Sequence, residues 1–325
     1  MKSVKNQFYK HLTFSKLLEA EIRAAKNKKT RSDVRFFEEH LEKNILTLMD
    51  SISNHTYKLG DYTAFTIYEP KKRVIRKLPF VDRIVHQWYV EEFIKTNFVK
   101  SFIYDSYACL NNKGVLKAIR RVQYFFRKNK DSYILKMDVS KYFDSIDKNL
   151  LMKILSKKIK DRYLLSFTRQ IIYDNCYSSG LPIGNYTSQF FGNIYLNELD
   201  HYLKYKLHIK YYVRYLDDFV IFVSNRNQAK QLYKLIELFL NENLHLKLNP
   251  KSTYNYSSKG VLFCGYKIYP DYLLVNRSMI KKLKKKLKTW KYDRVLYYKS
   301  LPSYLGYLSH SASKSMIALL KSLTE

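Results

Sequence analysis

Cysteine is scarce in this 325-residue chain: Cys109, Cys176 and Cys264 are an odd number at wide spacings, with no Cys-x-x-Cys pair. That excludes a disulfide framework and a zinc site built on paired thiolates. The eight glycines and six prolines nowhere gather into a linker. No segment repeats in tandem, so the sequence reads as lobes of one body with soft boundaries. No apolar run is long enough to span a bilayer, and the amino-terminal MKSVKNQFYKHLTF lacks the apolar core of a secretion signal. The expectation is a soluble, cytoplasmic protein without a membrane partner. The histidines, including His86, His201 and His310, show no metal-ligand spacing, and structural roles are their default.

Acidic residues are the largest shortfall. Against 59 Lys plus Arg there are 28 Asp plus Glu, a formal net charge of +31. At 46% apolar residues the chain folds rather than staying disordered, and its length allows a large core. A field of this sign draws polyanions, nucleic acid first, with an anionic membrane surface as the rival. The abundance of Tyr, Phe, Ile, Asn and Lys is the mark of AT-rich coding. Such bias accounts for part of the lysine but not for the lack of acids.

Apolar periodicity supplies the coarse elements. Phe37, Leu41, Ile45 and Leu48 recur at helical spacing within 33–51, and VDRIVHQWYVEEFIKTNF after Pro79 also reads as helix. A short strand over Ala64 to Tyr68 leads to the basic cluster Lys71, Lys72, Arg73 and Arg76. SYILKMDV is a β-rich run ending in an aspartate, and YYVRYLDDFVIFV is two β-forming runs around an Asp pair. A further helix covers Asn227 to Leu244, marked by Leu232, Leu235, Phe239 and Leu240. In 278–291, Met279 or Ile280, Leu283, Leu287 and Trp290 share one stripe while lysines fill most other positions. This non-repeating order predicts an α+β fold with an antiparallel sheet.

Asp217 and Asp218 fall at the tip of a predicted hairpin, where an acidic pair is commonly turn chemistry. Asp138 weighs against that reading, because it ends a largely apolar strand where an unpaired charge is costly. If strand and hairpin are neighbours in one sheet, Asp138 and Asp217 converge, and two divalent ions could activate a primer 3′-hydroxyl and stabilise departing pyrophosphate. Asp144, Asp147 and Asp200 read instead as helix caps or surface charges.

With these motifs in order, the chain resembles the reverse transcriptases. PKKRVIRKLPFVDRIVH is similar to the fingers segment that holds the triphosphate, KMDVSKYFDSID to the first metal motif, and GLPIGNYTSQFFGNIYLNELD to the motif supporting template and incoming nucleotide. YLDD resembles the second metal motif, LKLNPKST the one that follows it, and FCGYKIYP the primer grip. The resemblance implies an α+β right-hand polymerase with fingers, an antiparallel palm and a short helical thumb. Its segments would be a helical extension over 1–62, fingers over 63–135, palm over 136–262 with some fingers elements within 150–185, and primer grip plus basic thumb over 263–325.

By position, the resemblance implies metal contacts at Asp138, Val139, Asp217 and Asp218, with Asp218 the less direct, and Lys251 near the leaving pyrophosphate. It implies substrate contacts at Arg73, Phe143, Ile183, Gly184 and Gln189. Phe143 would exclude a ribose 2′-hydroxyl; without the motif it would read as a core aromatic. The implied cofactor is Mg2+, two ions, with Mn2+ able to substitute. The implied partners are dNTPs, a template RNA and its cDNA in an RNA–DNA duplex, along which the basic face of 278–291 would track; a membrane-surface helix shows the same pattern.

One departure narrows the resemblance. Many reverse transcriptases carry glutamine where this chain has Ile183, and IGNYTSQ is similar to the signature of enzymes from diversity-generating retroelements. YEPKKRVI, DSYACLNNKG and LPSYLGYLSHSAS resemble that group too. Its members copy RNA with errors at template adenines and work with an accessory variability protein. An isoleucine that simply packs is the other reading. The stretch beyond Tyr307 is too short for a maturase region, which argues against a group II intron enzyme, and retron motifs are missing. A bacterial antiphage-defence reverse transcriptase remains the nearest alternative, followed by an idle RNA-binding scaffold, which would have no need of carboxylates on a polyanion-binding surface.

Overall fold

The computed structural model describes residues 3–68, 72–173, 178–290, 292–312 and 314–321. Lys71 and Cys176 lie outside these residues. Two compact units interleave along the chain: Met1–Ile103, Ser140–Lys206 and Phe239–Lys247 form the first, and Tyr104–Val139, Leu207–Leu238 and Leu248–Glu325 the second. Neither unit is continuous in the chain: each is assembled from three separated segments.

The first unit is mainly helical. Its strands β1 (Thr63–Ile67) and β2 (Arg73–Lys77) pair antiparallel, with Ile67 opposite Arg73. Thr13 caps the helix Phe14–Ala25, and Asp147 caps Lys148–Ser156 by accepting from Asn149 and Leu150 N–H at 2.8 and 3.0 Å, as its side chain is suited to do. The predicted amphipathic helix over 33–51 is two helices, Ser32–Glu38 and Leu41–Ser53. The break lies at Glu39 and His40, where the Asn44 amide donates to the Phe37 carbonyl at 2.9 Å and satisfies the first helix's end. Trp88 packs edge-on against Phe8, Phe93 and Phe167 in the core, and Phe8 stacks on Phe93. The helix Tyr186–His201 is buried on nearly every side, and Asp200 on it is fully buried, not a cap or surface charge. Asp144 is exposed as expected.

In the second unit β3 (Tyr133–Met137), β4 (Tyr212–Tyr215), β5 (Asp218–Val223) and β6 (Thr253–Tyr256) form a sheet of order β4-β5-β3-β6, all pairs antiparallel. A three-stranded antiparallel sheet follows, β7 (Val261–Phe263), β8 (Tyr266–Ile268) and β9 (Leu273–Val275). Ile134, Val220 and Phe222 share a core with Val122 and Phe126 of the helix Val115–Lys128 and with Leu283 and Trp290 of the helix Arg277–Trp290. Met279, Ile280 and Leu287 pack against that core, so the stripe expected from spacing is the buried face, with lysines outside. The α+β, antiparallel expectation is met.

The helix Arg226–Leu244 buries Ala229, Leu232, Ile236, Leu240 and Leu244. Leu235, expected inside, is 40% exposed, because the stripe advances by i+4 through Ile236. No helix among the described residues is long and apolar enough to cross a membrane.

Candidate active site

Strand β3 stops at Met137 and Asp138 follows it. The β4–β5 hairpin pairs Tyr215 with Asp218 and turns through Leu216 and Asp217. Since Met137 faces Phe219 across β3 and β5, one further step sets Asp138 across from Asp218. Period-2 alternation puts Lys136 on the same face as Asp138. Leu216 has φ of 52°, a left-handed conformation that costs an L-residue about 1–2 kcal/mol. The fully buried Arg214 holds the turn, its guanidinium donating to the Leu216 carbonyl at 3.1 Å.

Electrostatics divides the three aspartates. Burial first, then the charge of the neighbouring Asp138, pushes the Asp217 carboxyl up to about 6. Burial also raises Asp218, opposed by an ion pair with Lys136 and by the Cys264 main-chain N–H. Asp138 is clasped from the 249–252 loop. Asn249 donates its amide to Asp138 Oδ2 at 2.9 Å and its main-chain N–H to the Asp138 carbonyl at 2.8 Å. The Asp138 N–H donates to the Ser252 hydroxyl at 3.2 Å.

Among the described residues no three His, Cys, Asp or Glu side chains gather to hold a metal ion by themselves. Asp138 and Asp217 are neighbours, whereas Asp218 pairs with Lys136, though burial still holds its carboxyl up. Two neighbouring carboxylates, with burial working against the charge of Asp217, are a donor set that a hard divalent cation relieves. Val139 is buried and pairs with Leu248 in an isolated bridge. Lys251 is exposed and lines a cavity of about 540 Å3 with Lys136, Lys259, Lys267 and Arg277.

The remaining predicted residues lie in the first unit. The Phe143 carbonyl accepts from Leu181 N–H at 2.8 Å, and its half-buried ring lies where a Cβ at Gly192 would come within 3.2 Å. Ile183 is tied to β2 through Arg76 N–H to its carbonyl at 3.1 Å. Gly184 has φ of 125°, and a Cβ there would stand 2.8 Å from the Arg76 carbonyl, so glycine is required. Gly184 and Gln189 line a cavity of about 450 Å3 with Lys28, Arg31, Arg76 and Arg83. The cations crowd one another: burial, then Arg83 and Arg31, lower the Lys28 amine. Arg73 is exposed at the start of β2 and is not among the cavity residues, whereas Arg76 is.

Sequence reasoning missed Lys136, Arg214, Asn249, Ser252 and Arg83. Arg214 carried a readable signal, a cation inside an apolar strand one residue from YLDD. Lys136 carried one too, two residues before Asp138. The remaining partners depend on tertiary contact.

Residues 66–268, more than half of the chain, match the family model described as reverse transcriptase (RNA-dependent DNA polymerase). A putative COX1/OXI3 intron 2 protein of Saccharomyces cerevisiae is 22% identical over 64% of this chain and 31% of its own length. Protein YkfC of Escherichia coli is 25% identical over 50% of this chain and 54% of its own. The chain thus spans about a third and about half of these two curated relatives. Among solved structures, the apo telomerase from Candida tropicalis is similar at TM-score 0.49 and 13% identity, over 67% of this chain and 49% of that one.

Proposed function

The chain belongs to the reverse transcriptase (RNA-dependent DNA polymerase) family, and on that premise we propose that it extends a primer with deoxynucleotides along an RNA template. The observation that carries the reading is the neighbouring pair Asp138 and Asp217, held at a strand end and a hairpin tip while Lys136 pairs with Asp218. On this reading the four-stranded antiparallel sheet is the palm of a right-hand fold.

In the proposed reaction the primer 3′-hydroxyl gives its proton to water as its oxygen bonds to the α-phosphorus of the dNTP, the bond from that phosphorus to the bridging oxygen breaks, and pyrophosphate leaves with the electron pair. Two divalent ions, Mg2+ or Mn2+ in its place, would activate the 3′-hydroxyl and offset charge on the leaving group. Asp138 and Asp217 would hold them, with the Val139 carbonyl as a further donor. Lys251 is assigned to the leaving pyrophosphate, and Arg73 with Arg76 to the triphosphate, which guanidinium groups bind through several charge-assisted bonds. Phe143 is assigned to exclude the ribose 2′-hydroxyl. Asp138→Asn and Asp217→Asn should each abolish metal-dependent cDNA synthesis while RNA binding stays near wild type. Normal synthesis by either variant would refute the assignment, and RNA binding without synthesis by the wild type would favour the scaffold.

The finer reading is an error-prone enzyme of a diversity-generating retroelement, working with an accessory variability protein. Its support is Ile183, whose side chain offers neither donor nor acceptor beside the strapped Ile183–Gly184 backbone. Loss of one polar contact changes discrimination by about 1–2 kcal/mol, roughly tenfold. Sequencing of cDNA made in vitro, with any needed partner present, should show errors concentrated at template adenines, and Ile183→Gln should lower them. Equal, low error rates at all four bases would favour the defence enzyme.

A further inference from the structure

The helix Val115–Lys128 contains no acidic residue. Its inner face, with Ala118, Ile119, Val122, Phe125 and Phe126, is buried in the core of the second unit. Its outer face carries Lys117, Arg120, Tyr124, Arg127 and Lys128, all exposed. These positions follow the i, i+3, i+4 spacing of one helical face and point away from that core. Tyr124 is 47% exposed, and Tyr104, just ahead of the helix, is 72% exposed.

What separates this face from an ordinary solvated run of lysines is that its two tyrosines are fixed. The Arg121 guanidinium sits 5.4 Å from the Tyr104 ring, 5.4 Å from Tyr124 and 4.3 Å from Phe125. Asp105 holds that guanidinium at 2.7 Å, so Arg121 is already compensated and acts as a spacer between the rings. Lys113 supports Tyr104 from 3.9 Å and donates to its carbonyl. The helix end is anchored by the Gln123 amide on the Tyr269 carbonyl at 3.1 Å and by Arg127 Nε on the Pro270 carbonyl at 2.8 Å. Two exposed rings held in place, with cations on both sides and no acid on the helix, match the stacking and phosphate contacts that single-stranded nucleic acid makes. Little side-chain freedom remains to be lost on binding.

We propose that Tyr104, Tyr124 and the outer face of Val115–Lys128 form a docking platform for a single-stranded segment of RNA, separate from the aspartate site. Each ring stacks on one base, and Lys117, Arg120 and Lys128 meet the phosphates. The proposal rests on the family's RNA reading but not on the metal assignment, so binding is measured in the Asp138→Asn background, where polymerisation plays no part.

The probe is a fluorescently labelled 12-nucleotide oligouridylate RNA titrated with the full chain at several salt concentrations. Tyr104→Ala with Tyr124→Ala should weaken binding roughly tenfold per ring. The double Tyr→Phe variant should bind like the parent, since it keeps the rings. Replacing Lys117, Arg120 and Lys128 with Gln should flatten the slope of log affinity against log salt by about 2, at about 0.7 per phosphate contact on a single strand. With Asp138 restored, extension of a saturating short primer–template should be unchanged in all three variants. Unchanged oligouridylate affinity and slope would overturn the proposal and leave the face to a protein partner or to solvent. Loss of extension at saturating primer–template would overturn it as well, since the face would then belong to the polymerisation site.

Discussion

Replacing Asn249 with alanine isolates the part of the candidate site that the metal motifs do not contain. Only the side chain is removed; the main-chain N–H that donates to the Asp138 carbonyl at 2.8 Å stays. Two bonds disappear, the amide donation to Asp138 Oδ2 at 2.9 Å and the acceptance of Lys251 N–H by Asn249 Oδ1 at 3.0 Å. A hydrogen bond to a charged group contributes about 1.5–3 kcal/mol, and the lower end applies because Asp138 is only half-buried. About 1.5 kcal/mol is roughly tenfold in affinity, within the range for partners that orient metal ligands. Single-turnover primer extension titrated with Mg2+ should therefore show half-saturation at roughly tenfold higher metal in Asn249→Ala, with a plateau near wild type. A reduced plateau at unchanged half-saturation would refute the reasoning, because Asn249 would then not act through the carboxylate that holds metal.

Other residues give independent tests. Burial holds the His86 imidazole down at about 3, and its Nδ1 lies 3.0 Å from the Thr187 hydroxyl; the unfolded chain therefore takes up the proton first, so stability is lost as pH falls below about 6.5 towards 3. Between pH 7 and 5 this one group should cost about 2 kcal/mol, and denaturant unfolding of His86→Gln should lack that share of the slope. Gly265 has φ of 86°, and a Cβ there would stand 1.9 Å from the Tyr307 hydroxyl; Gly265→Ala should destabilise by roughly 2–5 kcal/mol from backbone strain plus overpacking. Adding Tyr307→Phe should restore part of that loss in the same assay, and no recovery would show that the hydroxyl is not the obstacle. Phe143→Ala should admit ribonucleotides in primer extension; unchanged sugar discrimination would remove the assigned role.

Much of the fold could be read locally because it is locally encoded. The hairpin about Leu216 and Asp217 followed from two β-forming runs around polar residues, and the buried stripe of 277–290 followed from spacing alone. The misreadings share one cause, a tertiary environment that local pattern does not record. The break at Glu39 and His40 is stabilised by Asn44 reaching back to Phe37. Asp200 sits on a helix buried nearly all round, where no polar face exists to place it on the surface. Arg76 lines the cationic cavity and Arg73 does not, a distinction set by how β2 meets the Ile183–Gly184 turn.

The same boundary runs through the three aspartates, and it decides what each can do. A carboxylate at a strand end or a hairpin tip is visible in sequence, but the group that balances its charge is set by strand register. In this sheet Met137 faces Phe219, which brings Asp218 across from Asp138 and diagonal to Lys136, so the lysine that β3 carries two residues before Asp138 compensates Asp218. Had the register slipped by one residue, Lys136 would lie on the other face. Asp218 would then lose its cation, and three carboxylates would compete for one site. With the observed register, Asp138 takes the Asn249 amide and Asp218 takes Lys136, while Asp217, buried beside Asp138, has its carboxyl pushed up to about 6. That is the physical argument behind the proposal that a metal is held by Asp138 and Asp217, with a supporting role for Asp218.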